Sequence, residues 1–435
     1  MKTANWATVT ALMAAMGAGA GVAAENEPTP GQVTRVACDL AVKPNSVVIY
    51  KGTAEDTSTA KQTKDFHYDV YLPSDYGKDP TAFYPAMFIA SPGGNASMGV
   101  MEKRLKNDGW IVIMLVESKN DIPEWLNSFL AAHDDAVKRF RIAPGAKFAT
   151  GMSGGSRCAS MYPVIRPGFH GVLLQAAGFA SGFSHLEFTT RKNEIYSRYP
   201  AHVLIAATFG DKDSNLSETV AMRRLLPPGC LRHVEVFQGT HQWCPVEVFN
   251  RAMDWMEEKA FLQKPAVIAP CRLLGVEVKP EPMGPAAYQW FFRLTQARGE
   301  AAKTPAEKYR QLERLPVIAR NGNLGAAPAV SATLAKTDPV LRELSLAPDV
   351  QELVRVRQAY GQVMQTFGKF EAALMRGAYE FGSMHLSPLE LKEFETFLAE
   401  SGKFVDKYAD SPEADQLRCL NESVKLEFAG PGKKH

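Results

Sequence analysis

An excess of charge of either sign is missing from this sequence: 49 Lys and Arg nearly cancel 47 Asp and Glu, leaving a formal net charge of +2. No basic block is interleaved with aromatics, so there is no electrostatic footprint for nucleic acid. The short "GKKH" run at Gly432 to His435 reads as a solvated tail. Cysteine is scarce, six residues in all. No Cys-x-x-Cys pair is present to hold zinc, and no His-Glu-x-x-His is present for a metal hydrolase. Long apolar runs are missing after the first two dozen residues, so no later segment approaches the length that spans a bilayer. What remains is a chain of 435 residues, 46% hydrophobic, long enough for one large domain and a smaller one with a real core.

The N-terminus is the exception. Lys2 precedes the apolar "WATVTALMAAMGAGAGVAA", and Val22-Ala23-Ala24 closes the run with the small residues a signal peptidase requires. Residues 1–24 are read as a signal peptide, with a mature chain from near Glu25 that is exported to the periplasm or secreted. A membrane anchor fits less well, because the run is rich in Ala and Gly and stops at the acidic "ENEP". A lipid anchor on Cys38 would need apolar residues where polar "PGQVTR" stands. Export permits disulfides. Cys230 with Cys244, flanking one predicted strand, and Cys271 with Cys419 are the candidate pairs. Buried free thiols are the alternative, above all for Cys158 on a predicted helix.

From about Ser46 to Cys244, short β-branched runs alternate with helical ones. "DFHYDVYLP", "YPAMFIASPGG", "GWIVIMLVES", "AKFATGMSGG", "FHGVLLQAAGF", "AHVLIAATFGD" and "RHVEVFQGTH" read as strands, each ending in turn residues. Stretches such as "IPEWLNSFLAAHDDAVKRFR" separate them, and "VEVFNRAMDWMEEKAFL" closes the unit as an amphipathic helix. The pattern predicts a doubly wound, mostly parallel α/β sheet over residues 25–278. "KPEPMGPAAY", Lys279 to Tyr288, is Pro-rich and reads as a linker to a smaller all-helical domain, 279–435. There, Thr304 with Glu307 and Ser387 with Glu390 stand in capping-box positions. A further Ser-Pro start at Ser411 hints at repeat units without establishing them. That region either packs against the first domain or binds a partner.

One motif carries chemistry. Gly151-Met152-Ser153-Gly154-Gly155 follows the strand "KFAT" directly and precedes the helical "SRCASMYPVI". A serine on such a strand–turn–helix elbow has its hydroxyl exposed, while small neighbours let strand and helix pass closely. A hydroxyl is a poor nucleophile alone and needs a base with a residue to orient it. Asp213, with Asp211 as runner-up, follows the next-to-last strand, and His241 follows the last. The other histidines sit at strand starts or lack such placement. A backbone N–H at Gly154 is free to hold an oxyanion, and Ser91-Pro92-Gly93-Gly94-Asn95 offers a second donor, Gly93 before Gly94. Trp125 and Trp243 are candidates to stack on a substrate, though large aromatics in such domains are more often core.

"VYLPSDY", "ASPGGNAS", "VESKND", "TGMSGGS", "FGDKDSN" and "GTHQW" together resemble the α/β-hydrolase superfamily, most of all exported feruloyl esterases and polyhydroxybutyrate depolymerases, over about Asp65 to Leu262. The resemblance implies Ser153 as nucleophile, Asp213 as acid, His241 as base, Gly154 and Gly93 as oxyanion donors, and no metal or cofactor. It implies an ester substrate such as an acylated polysaccharide or a polyester. Those families commonly carry His-Gly at the oxyanion loop, where Ser91-Pro92 stands here. The competing readings are a secreted peptidase of the prolyl-oligopeptidase type and a scaffold with an inherited hydrolase domain.

Overall fold

The computed structural model describes residues 27–39, 49–50, 53–54, 66–120, 125–179, 199–227, 229–263, 271–273, 276–279, 281–377 and 385–429. The expected signal peptide, 1–24, lies outside them. Eight strands form the main sheet: β1 (Val33–Ala37), β2 (His67–Tyr71), β3 (Tyr84–Ala90), β4 (Ile111–Leu115), β5 (Ile142–Met152), β6 (Phe169–Gln175), β7 (Leu204–Gly210) and β8 (Arg232–Phe237). Their spatial order is β1-β2-β4-β3-β5-β6-β7-β8. Only β1 with β2 and β2 with β4 run antiparallel; the other neighbours are parallel. Strands β3, β4 and β7 are buried along their whole length, which is why they read as unbroken apolar runs rather than as alternation.

Helices α1 (Glu102–Asn107), α2 (Trp125–Arg139), α3 (Gly154–Ile165), α4 (Glu218–Leu225) and α5 (Val246–Glu257) connect or follow these strands. Helices α2 and α3 cover one face, where the Phe129 ring stacks on Tyr162 and meets Phe88 and Phe169. On the other face Phe148 meets Trp110, which meets Trp290 of the next helix, α6 (Pro285–Glu300). His133 of α2 is buried among Phe88, Phe129 and Phe169. Burial drives its pKa down to about 4, against the opposing pull of Asp134.

Two expectations need correction. The Pro-rich segment after Lys279 is not a free linker: Gly284 N–H donates to Pro144 O, Glu281 pairs with the buried Lys147, and a Cβ on Gly145 would collide with Pro282 and Met283. Helices α6, α7 (Pro305–Leu312) and α8 (Leu315–Asn321) share one core with the sheet through Trp290, Phe291, Leu312 and Ile318. The apolar faces predicted for a separate domain are thus used to complete the first. Nor do Cys230 and Cys244 pair. Both are free and buried, one before β8 and one after it, and burial pushes each thiol up to about 12. Cys419 is free as well, and the side chain of its expected partner Cys271 lies outside the described residues.

Smaller cores appear only beyond α9 (Pro328–Leu344), among α10 (Pro348–Arg376), α11 (Pro388–Lys407) and α12 (Pro412–Ala429). Their starts are capped as the sequence predicts. Thr304 and Ser387 each complete a capping box, and Ser411 Oγ accepts from Ala414 N–H. Helix α12 lies along β8, the edge of the sheet, where Ser423 Oγ accepts the Val236 N–H at 2.7 Å. An edge strand otherwise presents unpaired backbone groups. Arg223 and Arg224 of α4 reach into the helical region, Arg223 pairing with Glu427 and Glu371 and Arg224 with Glu390, each pair largely buried.

Ser423→Ala would leave the Val236 N–H buried without an acceptor. Urea unfolding should show a loss of about 1–3 kcal/mol, whereas an unchanged midpoint would mean that α12 does not cover this edge. The depressed pKa of His133 sets a second expectation. The unfolded chain takes up the proton near pH 6.5 and the folded one only near 4, so this residue weakens stability as pH falls through that window and is silent above it. In His133→Phe, the fall in unfolding free energy between pH 6.5 and 4 should be shallower by up to about 1.4 kcal/mol per pH unit. Parallel curves for the two proteins would contradict a neutral His133.

Candidate active site

Strand β5 ends at Met152 and α3 starts at Gly154, so Ser153 alone makes the turn, at φ 54° and ψ −120°. A non-glycine residue adopts this conformation only under external constraint. The constraint is a close crossing. A Cβ on Gly151 would collide with the Gly155 backbone, and a Cβ on Gly155 would collide with the Ala90 carbonyl at the end of β3. The turn is then bolted to β6: Ser153 N–H donates to Gln175 O at 2.8 Å, and Ser156 Oγ bonds Gly151 O and Gln175 O while accepting Gln175 N–H.

The loops after β7 and β8 bring two further side chains to this turn. His241 Nε2 lies 2.8 Å from Ser153 Oγ, and Nδ1 lies 2.9 Å from Asp213 Oδ1. An ionised carboxylate only accepts, so the network assigns the tautomer: Nδ1–H donates to Asp213, and Ser153 O–H donates to the bare Nε2. Asp213 has a fully buried side chain, while His241 is partly open to solvent. Asp213 Oδ1 also accepts from Asn215 N–H, and the Asp213 N–H bonds back to Gly210 O, which fixes the turn that aims the carboxylate.

Asp211 plays a different part. Its Oδ1 accepts Gly239 N–H at 2.8 Å, Lys212 N–H donates to Gly239 O, and a Cβ on Gly210 would collide with the carbonyls of Gly239 and Thr240. Asp211 thus splices the two loops that carry Asp213 and His241. Gln175 is a contributor that sequence reasoning missed. Its buried amide takes Cys244 N–H on Oε1 and donates to Thr150 Oγ1, tying the segment after His241 to the elbow strand. A single Gln at a strand end carries no motif, so no sequence signal marked it.

Gly154 N–H, in the first turn of α3, has no acceptor among the described residues. The Gly93 N–H points to Ser91 Oγ at 3.4 Å, within a turn closed by Gly94 N–H to Ser91 O. Asn120 occupies the space over Gly154, so close that a Cβ there would collide with its carboxamide, and its own N–H is anchored to Pro92 O. Trp243 is half-buried against the core, and the Trp125 side chain lies outside the described residues. No group of three or more metal-ligating side chains occurs among the described residues, and none of their helices is long and apolar enough to cross a membrane.

A parallel sheet in the order above, with a serine on a strained elbow after its fifth strand, an aspartate after the seventh and a histidine after the eighth, is the α/β-hydrolase fold. No family model and no curated protein matches the sequence. Among solved structures, a ferulic acid esterase is 14% identical, over 51% of this chain and 94% of its own, at a TM-score of 0.34. Est1E from Butyrivibrio proteoclasticus is also 14% identical, over 45% of this chain and 94% of its own, with TM-score 0.34. A prolyl endopeptidase is 13% identical over 52% of this chain but only 37% of its own, with TM-score 0.35. This chain therefore spans nearly the whole of the two esterases and little more than a third of the peptidase.

The two aspartates should separate in a labelling experiment with a fluorophosphonate, which reacts only with an activated serine. Asp213→Asn should slow labelling by on the order of 10³–10⁴ by releasing the imidazole to the wrong tautomer, and Asp211→Asn by far less. Equal rates in the two variants would show that the Asp213 contact does not orient His241.

Proposed function

We propose that this protein is an exported serine hydrolase that cleaves carboxylic esters through an acyl-enzyme. The observation that carries the reading is the continuous hydrogen-bond chain Ser153–His241–Asp213 at an elbow whose serine is held in a strained conformation. Ser153 Oγ attacks the ester carbonyl carbon as His241 Nε2 takes its proton, and the carbonyl π electrons move onto oxygen. Collapse of that intermediate expels the alcohol, which receives the proton from His241. Water then repeats the sequence against the acyl-serine and releases the carboxylic acid. Asp213 stays ionised and stabilises the imidazolium that forms twice in each cycle.

The tetrahedral oxygen is taken by the Gly154 N–H. As second donor we take the Asn120 carboxamide, which lies on Gly154, alongside Gly93, whose N–H is turned to Ser91 Oγ at 3.4 Å. A carboxamide with its Nδ2 toward the oxyanion does the work of a backbone N–H there. No step calls for a metal or an organic cofactor. Acylated polysaccharides and polyesters are the substrates we favour, because an exported enzyme with a half-exposed base meets its ester outside the cell.

Hydrolysis of a p-nitrophenyl ester series by the mature protein, beside Ser153→Ala and Asn120→Ala and with a peptide anilide in parallel, tests this. Ester turnover should fall by on the order of 10⁴–10⁶ in Ser153→Ala and by about 10²–10³ in Asn120→Ala. Turnover of the anilide without the esters would replace the reading with a peptidase. Inactivity on both, with no fluorophosphonate labelling, would replace it with a scaffold.

A further inference from the structure

A cavity of about 900 Å³ lies between the sheet and the helical region, lined by the start of β8, the end of α5, and helices α10 and α12. It is remote from the triad along β8: Arg232 opens that strand, whereas His241 follows its far end. Three features of its wall are unexplained by the packing of the protein alone.

The first is a set of guanidiniums with unused donors. Arg223 is 1% exposed and pairs with Glu427 and Glu371, yet its Nη2 is buried with no hydrogen-bond partner among the described residues. Beside it, Arg232 has a buried Nε in the same condition and reaches Glu371 only at 3.6 Å. Burial holds Arg232 below the ordinary guanidinium value, and the nearby Glu371 does not offset this. The second is a matching charge at the other end of the cavity. Arg314 makes no side-chain hydrogen bond or ion pair among the described residues, and burial likewise lowers its pKa despite the proximity of Glu258. Its neighbours Arg310 and Arg357, by contrast, are engaged with Glu413 and Glu313.

The third is the floor between these ends. Tyr360, Met364 and Phe367 form an apolar stripe along α10 that runs to Glu371 beside Arg223 and Arg232, about 16 Å at 1.5 Å per residue. Gly361 and Gly368 line the same cavity, seven residues apart within this 29-residue helix. Glycine is the poorest helix former after proline. Close packing does not account for either one, because a Cβ at each would find no atom within 4 Å. Bare backbone at these two positions, two turns apart, keeps a groove open that side chains would otherwise fill.

We propose that this cavity is a binding site for an elongated organic dianion, an apolar chain bearing a carboxylate or phosphate at each end. One anionic end pairs with Arg232 where it lines the cavity, and the other neutralises Arg314. The chain lies along Tyr360, Met364 and Phe367 over the two glycines. Guanidinium forks suit carboxylate and phosphate alike, and neither end requires the triad.

Titration calorimetry of the full chain with dodecanedioate, whose length approaches the span of the groove, is the test. Saturable binding is expected, with dodecane-1,12-diol at least about tenfold weaker because it lacks the charges. Arg232→Gln and Arg314→Gln should each weaken the diacid by about tenfold or more. The double substitution Gly361→Leu with Gly368→Leu should abolish binding while the melting temperature holds or rises, since leucine favours the helix and enters open space. No binding by the parent protein would overturn the proposal. Equal affinity for the diol, or undiminished binding by either arginine variant or by the filled groove, would overturn it too.

Discussion

The crossing of α3 over the ends of β3 and β5 is the constraint on which the rest of the site depends. The Ala90 carbonyl sits against the backbone of Gly151 and Gly155 with no room for a side chain at either position. With strand and helix held that close, a single residue must reverse the chain, and Ser153 is forced to φ 54°. The same contact starts α3 directly after the serine, which leaves the Gly154 N–H without an acceptor among the described residues. Presentation of the hydroxyl and release of that N–H are thus one geometric event. The strain is held by Ser156 and the β6 carbonyl of Gln175, both buried, so it is stored in the rigid part of the molecule.

The partners of Ser153 arrive on loops, which by themselves have no reason to agree with each other. Here they are tied together before they reach the serine. Asp211 and Lys212 bond Gly239, and Gly210 lets the two loops touch. Gln175 then draws the segment after His241 back to the elbow strand. The hydrogen-bond chain from Ser153 to Asp213 is therefore the end of a longer one in which side chains with no chemical task fix the distances of those that have one.

The helical region completes the fold rather than standing apart from it. Helices α6–α8 finish the core on one face of the sheet, and α12 covers its last edge with Ser423. Two arginines of α4, the helix that follows the Asp213 loop, are buried against glutamates of the helical region. Buried pairs of this kind contribute little net stability but penalise any arrangement that leaves one charge alone, so they specify how the region docks.

What the sequence determined by itself was the local chemistry: the apolar strand runs, the glycines around Ser153, the order of serine, aspartate and histidine, and the capping boxes at Thr304 and Ser387. Each is set by residues a few positions apart, where propensity, capping and turn geometry act. Tertiary structure decided what depends on neighbours distant in the chain. The Pro-rich segment after Lys279 is pinned because Pro144 and Lys147 lie beneath it. Cys230 and Cys244 stay apart because β8 separates them, and Gly93 turns to Ser91 while Asn120 covers Gly154. The choice of Asp213 over Asp211 at the imidazole also belongs here. Two residues apart on one loop, they are nearly equivalent as sequence, and only the meeting of that loop with Gly239 assigns one to the backbone and the other to His241.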